Sequence, residues 1–506
     1  VIQWFIIPLT LMFEKALIIY SNNLEPTRIM KIKNVAKALA LSFSYPKAFT
    51  TIGLLALLIV MLNGCIYANE IDNSNYESTI YDDPKSTVVE PPATHNSDID
   101  PSSAFYETVM SIAPFMPADN SSIAIGCDIL KSVDVSSDEY KTSLQADYAN
   151  YDWERRIAHQ PKFFNSSAND GRILMIDFAE KGDALAYRYL SNDNSHQQRY
   201  EPWSSSKIFA FTAAIATLRK QGLGAQAKVG DTYVADMLTS INSYETFGSA
   251  PGDSNALATF FANVAGRDYL SALFYDEWLK MSTPHIYFRG AYGPVAFEPS
   301  NYEWQMLDEN RSAIINPYLL ASDDPGYLPY RCEDCGLTGN KPMTTLAQAE
   351  WLKRLALHSR DPLTQHPYIT QDDISTLFYG SGHSYQDKRF AGMTLGISLM
   401  LQRAIVNAIT GTEVADPKKV LDELTNGKWR VFQKIGWGPS ETRTTTENVV
   451  LAHVCLPNFQ GGREFTVAAQ VSVPEDSENN LPLAGIKMQR LLQRSLRQYF
   501  NDTLVK

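Results

Sequence analysis

Ser204-Ser205-Ser206-Lys207 places a hydroxyl and an amine three residues apart. Positions three apart on a helix share a face, so the lysine amine can approach the serine hydroxyl. A serine hydroxyl is a weak nucleophile and needs a base beside it. A lysine becomes such a base once burial and neighbouring positive charge lower its pKa. A helix opening at the serine adds backbone N–H groups where negative charge would develop. The tetrapeptide alone is not specific, because Ser44-Tyr45-Pro46-Lys47 matches it as well. Without context Ser204 reads first as a helix cap beside a solvated lysine.

Two further groups supply context. Asp253-Ser254-Asn255 precedes an apolar helical run, and Lys434-Ile435-Gly436 ends a strand-like stretch near the end of the chain. The order of the three groups resembles the serine β-lactamase family, class A above all, and its penicillin-binding transpeptidase kin. The signatures of that family are Ser-x-x-Lys, Ser-Asp-Asn and Lys-Thr-Gly. The resemblance spans residues 165–505. It implies that Ser204 is acylated by a carbonyl substrate and that Lys207 helps to deprotonate it. It further implies that Asn255 holds the substrate amide and Lys207, and that Lys434 supplies positive charge and proton traffic. Gly436, Trp437 and Thr442 would line the substrate, with the N–H groups of Ser204 and Trp437 forming an oxyanion hole. No cofactor and no metal enters such a mechanism.

The departures are as informative as the matches. Alignment on Asn255 puts Asp253 where the family has a proton-relaying serine, and Ser254 reaches that role only by a one-residue shift. Ile435 replaces a hydrogen-bonding threonine, for which Thr442 or Ser440 could compensate. Phe297-Glu298-Pro299-Ser300-Asn301 is one residue short of the string that carries the family's deacylating glutamate. Glu298 is therefore the candidate base and Glu303 the second choice. The competing reading is a lipoprotein that keeps the fold without the chemistry, in a binding or scaffolding role. Gly252-Asp253-Ser254 also resembles a lipase block, but no strand precedes it, and Asp193 and His196 come before the serine instead of after it.

The elements that must position these groups follow from periodicity. Residues 173–178 and 184–190 are apolar and β-prone around a turn at Gly182, which predicts a hairpin. Ile208, Phe211, Ile215 and Leu218 fall on one face of a helix after Trp203. Strands are expected at 429–434, 448–456 and 464–473, and Met488, Leu491, Leu492, Leu496 and Tyr499 stripe a closing helix. The expected fold class is α/β (α+β). A split antiparallel sheet comes from 171–192 and 429–475, at both ends of the body 166–505, around a helical insertion at 204–425.

Ahead of this body, Lys31, Lys33, Lys37 and Lys47 precede an apolar run at 52–62. That run is shorter than the ~20 residues of a membrane span and suits an export signal. Leu62-Asn63-Gly64-Cys65 resembles a bacterial lipobox, which makes 30–64 a lipoprotein signal and Cys65 the acylated residue. Residues 66–104 hold eight acidic side chains and one lysine and read as a disordered tether. Residues 105–165 read as a mostly helical extension. The remaining cysteines, Cys127, Cys332, Cys335 and Cys455, are even in number, which in an oxidising compartment points to disulfides. Three connectivities are open. In one of them Cys332 pairs with Cys335 and Cys127 with Cys455. The expected location is the bacterial cell envelope, on the periplasmic side of the outer membrane in a Gram-negative cell. A net charge of −12 repels phosphate backbones and argues against nucleic-acid partners. The expected partners are a membrane, through the lipid, and a small-molecule or cell-wall peptide substrate.

Overall fold

The computed structural model describes residues 116–119, 124–308, 310–328, 340–440 and 442–502. Cys65, Cys332, Cys335 and the expected signal and tether lie outside them. Among the described residues no helix is long and apolar enough to cross a membrane.

The first elements are short: β1 (Ser132–Val133), β2 (Lys141–Thr142), the four-residue helix α1 (Ser143–Ala146) and β3 (His159–Phe164). This corrects the expectation of a mostly helical extension for the described part of 105–165. Pro161 sits inside β3 and cannot donate to a helix or to an inner strand, but an edge strand accommodates it. The segment joins the sheet instead of preceding it.

β4 (Arg172–Lys181) and β5 (Ala184–Asn192) form the expected hairpin. Leu174, Ile176 and Phe178 point into one core while Ile173 and Met175 point into another, the period-two alternation of a strand buried on both faces. The insertion follows, beginning with α2 (Lys207–Lys220). Its Ile208, Phe209, Phe211, Ile215 and Leu218 are all fully buried, so α2 is a core helix. Next come β6 (Ala227–Val229), β7 (Thr232–Tyr233), α3 (Val234–Ser243), α4 (Ser254–Ala265) and α5 (Arg267–Ala272). After β8 (Glu303–Met306) and β9 (Ser312–Ile314) the chain continues through α6 (Thr345–Ala356), α7 (Gln371–Tyr379), α8 (Met400–Thr410) and α9 (Pro417–Thr425). Four strands of the insertion, β7-β6-β8-β9, make a small second sheet where helices and loops are expected from the sequence. Each has only two to four residues, too few to show a period.

The chain then returns through β10 (Arg430–Ser440), β11 (Thr445–Leu456) and β12 (Arg463–Pro474), closing with α10 (Leu481–Phe500). The main sheet runs β10-β11-β12-β4-β5-β2, with β1 and β3 paired in parallel to β4 and β5. It is therefore assembled from both ends of the body, as expected. α8 and α10 cover one face, and α6 packs on the other, where α2 and α4 complete the same core. A disulfide joins Cys127 to Cys455 on β11.

Candidate active site

Ser204 lies in a 3-10 turn, Trp203–Ser206, that runs directly into α2. Of the three serines only Ser204 is half-exposed. Ser205 Oγ donates to Pro202 O and accepts from Gln348 Nε2, and Ser206 Oγ donates to Trp203 O. Trp203 has φ 52°, a left-handed conformation costly for an aromatic residue. It is held there by a 2.7 Å bond from its Nε1 to Glu447 Oε2 on β11. β10 backs onto the same turn: a Cβ added to Gly436 would stand 2.6 Å from Ser204 N and 2.8 Å from Ser205 N. The glycine is thus required by close backbone approach.

Lys207 is completely buried, and its Nζ donates to Asn255 Oδ1 at 2.7 Å and to Ser254 Oγ at 2.9 Å. Both partners open α4. Asp253 caps that helix, accepting from the N–H groups of Asn255 and Ala256 at 3.0 and 2.9 Å. Of the two residues weighed for the relay position, Ser254 meets Lys207 and Asp253 serves the backbone. Burial pushes the Lys207 ammonium down to about 7, with Lys341 adding to the shift and Asp253 opposing it.

Tyr244, which no sequence motif marked, joins the two halves of the site. It ends α3 in a left-handed conformation, φ 60°. Its hydroxyl accepts from Lys434 Nζ at 2.9 Å, and the Ser204 hydroxyl nearby works against the upward shift of the phenol. Its ring lies 4.0 Å from Lys434 Nζ, 5.0 Å from Lys207 Nζ and 5.5 Å from the Trp437 ring. Burial holds the phenol above its usual range. Burial, reinforced by the charge of Lys207, pushes Lys434 well below the usual lysine value. That direction favours proton exchange over a permanent positive charge at Lys434. Tyr292 is a second residue that the motifs did not mark. Its hydroxyl bonds Ser206 Oγ at 3.0 Å, and its ring lies 5.5 Å from Lys207 Nζ and 4.9 Å from Lys341 Nζ.

The structure thus gathers Ser204, Lys207, Ser254, Asn255, Lys434, Gly436 and Trp437 around Tyr244. Thr442 is exposed on the rim beyond β10, 3.4 Å from Ser440 Oγ. Glu298 is exposed, and no hydrogen bond or ion pair ties it to the cluster among the described residues.

No family model and no curated protein matches this sequence. Solved structures do match. A class A β-lactamase from Bacteroides cellulosilyticus is 10% identical, covering 65% of this chain and 92% of that one, with a TM-score of 0.32. A class D β-lactamase, YbXI from Nostoc, is 12% identical over 65% and 93%, with a TM-score of 0.31. PBP-A is 10% identical over 65% and 89%, with a TM-score of 0.34. Likeness at this level carries no argument about chemistry, which rests on the geometry above.

Proposed function

We propose that this chain is a serine hydrolase acylated at Ser204 by an amide or ester carbonyl, in a β-lactam, a cell-wall peptide or a simple ester. The supporting observation is the Tyr244–Lys434 pair beside the buried Lys207, two amines whose cations are disfavoured near one half-exposed hydroxyl. Ser204 Oγ attacks the carbonyl carbon. Its proton passes to the Tyr244–Lys434 pair or to neutral Lys207, and returns to the leaving group when the carbonyl–heteroatom bond breaks. The N–H groups of Ser204 and Trp437 are assigned to the developing oxyanion. Asn255, held by Lys207, presents its amide to the substrate. The acyl-enzyme is expected to be long-lived, because no hydrogen bond or ion pair among the described residues ties Glu298 to the cluster. A lipid on Cys65, facing the periplasm, belongs to the same proposal and would bring the site to cell-wall substrates.

The test is adduct mapping. The body 105–506 is incubated with a fluorescent penicillin and with a fluorophosphonate, and the labelled peptide is identified by mass spectrometry. The expected result is an adduct on Ser204 that Ser204→Ala abolishes without loss of folding. Folded protein with no adduct from either probe favours the non-catalytic lipoprotein. Penicilloylation that persists for hours separates a penicillin-binding protein from a β-lactamase.

A further inference from the structure

A cavity of about 160 Å³ lies beside α4, lined by Thr259, Asn263 and Arg267 on one side and by parts of 291–295 and 318–321 on the other. Its wall reaches the candidate active site at Gly293, where an added Cβ would stand 3.5 Å from Asn255 Cβ. Asn255, Thr259 and Asn263 are spaced by four along one face of α4, so polar groups run from the partner of Lys207 to the cavity wall at Thr259 over about 6 Å. The opposite wall is shared too. Thr259 Oγ1 accepts from Tyr292 N–H at 3.2 Å and donates to Gly293 O at 3.3 Å, while the Tyr292 hydroxyl meets Ser206.

Two features describe an occupant. Arg267 is 1% exposed, its Nε donates to Gly290 O, and its Nη1 bonds Asn263 and Asp324. Among the described residues its Nη2 has no hydrogen-bond partner. A buried donor without a partner is unfavourable and invites an acceptor. Asp324, 3.0 Å away, already balances the guanidinium charge, so the missing acceptor is a neutral carbonyl oxygen better than an anion. The mouth is apolar and open: Val295, Tyr318, Leu319 and Leu320 are 40–62% exposed. A cavity of roughly 150 Å³ accommodates benzene, so a ring-sized group fits this one.

We propose that this cavity is the subsite for the part of the substrate remote from the carbonyl attacked by Ser204. It takes a ring-sized apolar group carrying a carbonyl oxygen that accepts from Arg267 Nη2. The proposal rests on the reading of Ser204 as an acylated nucleophile. Two glycines span about 7 Å, which sets the length of the probe.

The experiment compares N-benzoylglycylglycine and N-acetylglycylglycine p-nitrophenyl esters on the full chain, reading acylation of Ser204. The benzoyl ester should acylate at least about tenfold faster. Ala321→Trp, which narrows the mouth at an exposed position, should remove that advantage and leave the acetyl ester unchanged. Arg267→Lys, which keeps a charge beside Asp324, should lose most of it. Calorimetry on Ser204→Ala should show N-benzoylglycylglycinamide binding about tenfold tighter than its acetyl analogue. Equal rates for the two esters, with Ser204 acylated by both, would overturn the subsite and leave the nucleophile standing. A benzoyl preference that survives Ala321→Trp would overturn its location. Absence of acylation by either ester would overturn both readings, whatever the calorimetry gives.

Discussion

The amine of Lys207 is useful to Ser204 only when neutral, and burial is what makes it so near neutral pH. With its ammonium pushed down to about 7, the acylation rate should rise through that pH as the proton leaves. The pH–rate profile of a chromogenic ester checks this, and a profile flat from 6 to 9 would remove the amine from the mechanism. The same shift bears on stability. The folded value lies below the unfolded one, so between about 7 and the usual lysine range the unfolded chain binds the extra proton. Wild type should therefore gain stability relative to Lys207→Met as pH rises across that window. Tyr244 carries the second prediction at this scale. Tyr244→Phe keeps the ring against both lysines but deletes the hydroxyl to which Lys434 donates. Acylation should fall by about 10²–10⁴, while stability falls only by the roughly 1–3 kcal/mol of the buried hydrogen bond that Lys434 loses.

Three elements converge on these side chains, and each arrives by its end: the turn into α2, the C-terminus of α3 and the N-terminus of α4. Ser254 Oγ donates to Ile241 O at 2.8 Å, locking α4 to α3 and so fixing Asn255 relative to Tyr244. β10 is the fourth contributor and the tightest. Gly436→Ala would push a methyl group into the backbone nitrogens of Ser204 and Ser205, which cannot move like a flexible side chain. The expected outcome is loss of Ser204 labelling by the fluorophosphonate while the far-ultraviolet circular dichroism is kept. Retained labelling would mean that the β10 backbone yields by several tenths of an ångström.

Across the whole molecule the first described segment is fastened to the last. Asp177 on β4 lies within 2.5–2.8 Å of Lys131, Tyr140, Arg188 and Tyr499, contributed by the N-terminal segment, the hairpin and α10. Burial opposes its charge, but Lys131 and Arg188 overcome that and keep the carboxylate ionised. The Cys127–Cys455 bond closes a separation of 328 residues over the same region. Breaking it should cost about 2–5 kcal/mol, because a long closed loop is released in the unfolded chain. Denaturation of the oxidised protein and of Cys127→Ala/Cys455→Ala measures the difference. Identical midpoints would show that the sheet contacts of β1 hold the segment by themselves.

Much of this architecture was legible in the residues because it is written in short-range patterns. The apolar, β-prone runs at 173–178 and 184–190, the apolar stripe after Trp203 and the closing helix depend on neighbours a few positions apart. The Ser204–Lys207 spacing is local in the same sense, and the returning strands carry Lys434 with them. Tyr244, Tyr292 and the sheet role of β1–β3 had no such signal. Tyr244 matters because the end of α3 packs between α2 and β10, and no spacing along the chain records a meeting of residues 204, 244 and 434. The choice of Ser254 over Asp253 was likewise made by packing. Both carry an oxygen, but Asp253 is turned to cap α4 while Ser254 faces the core and Lys207. The sequence by itself determined the long strands and helices of the body and where a nucleophile could stand. Only the tertiary structure decided which side chains share a proton, because burial and contact at distances under about 3 Å are properties of packed elements and not of the chain order.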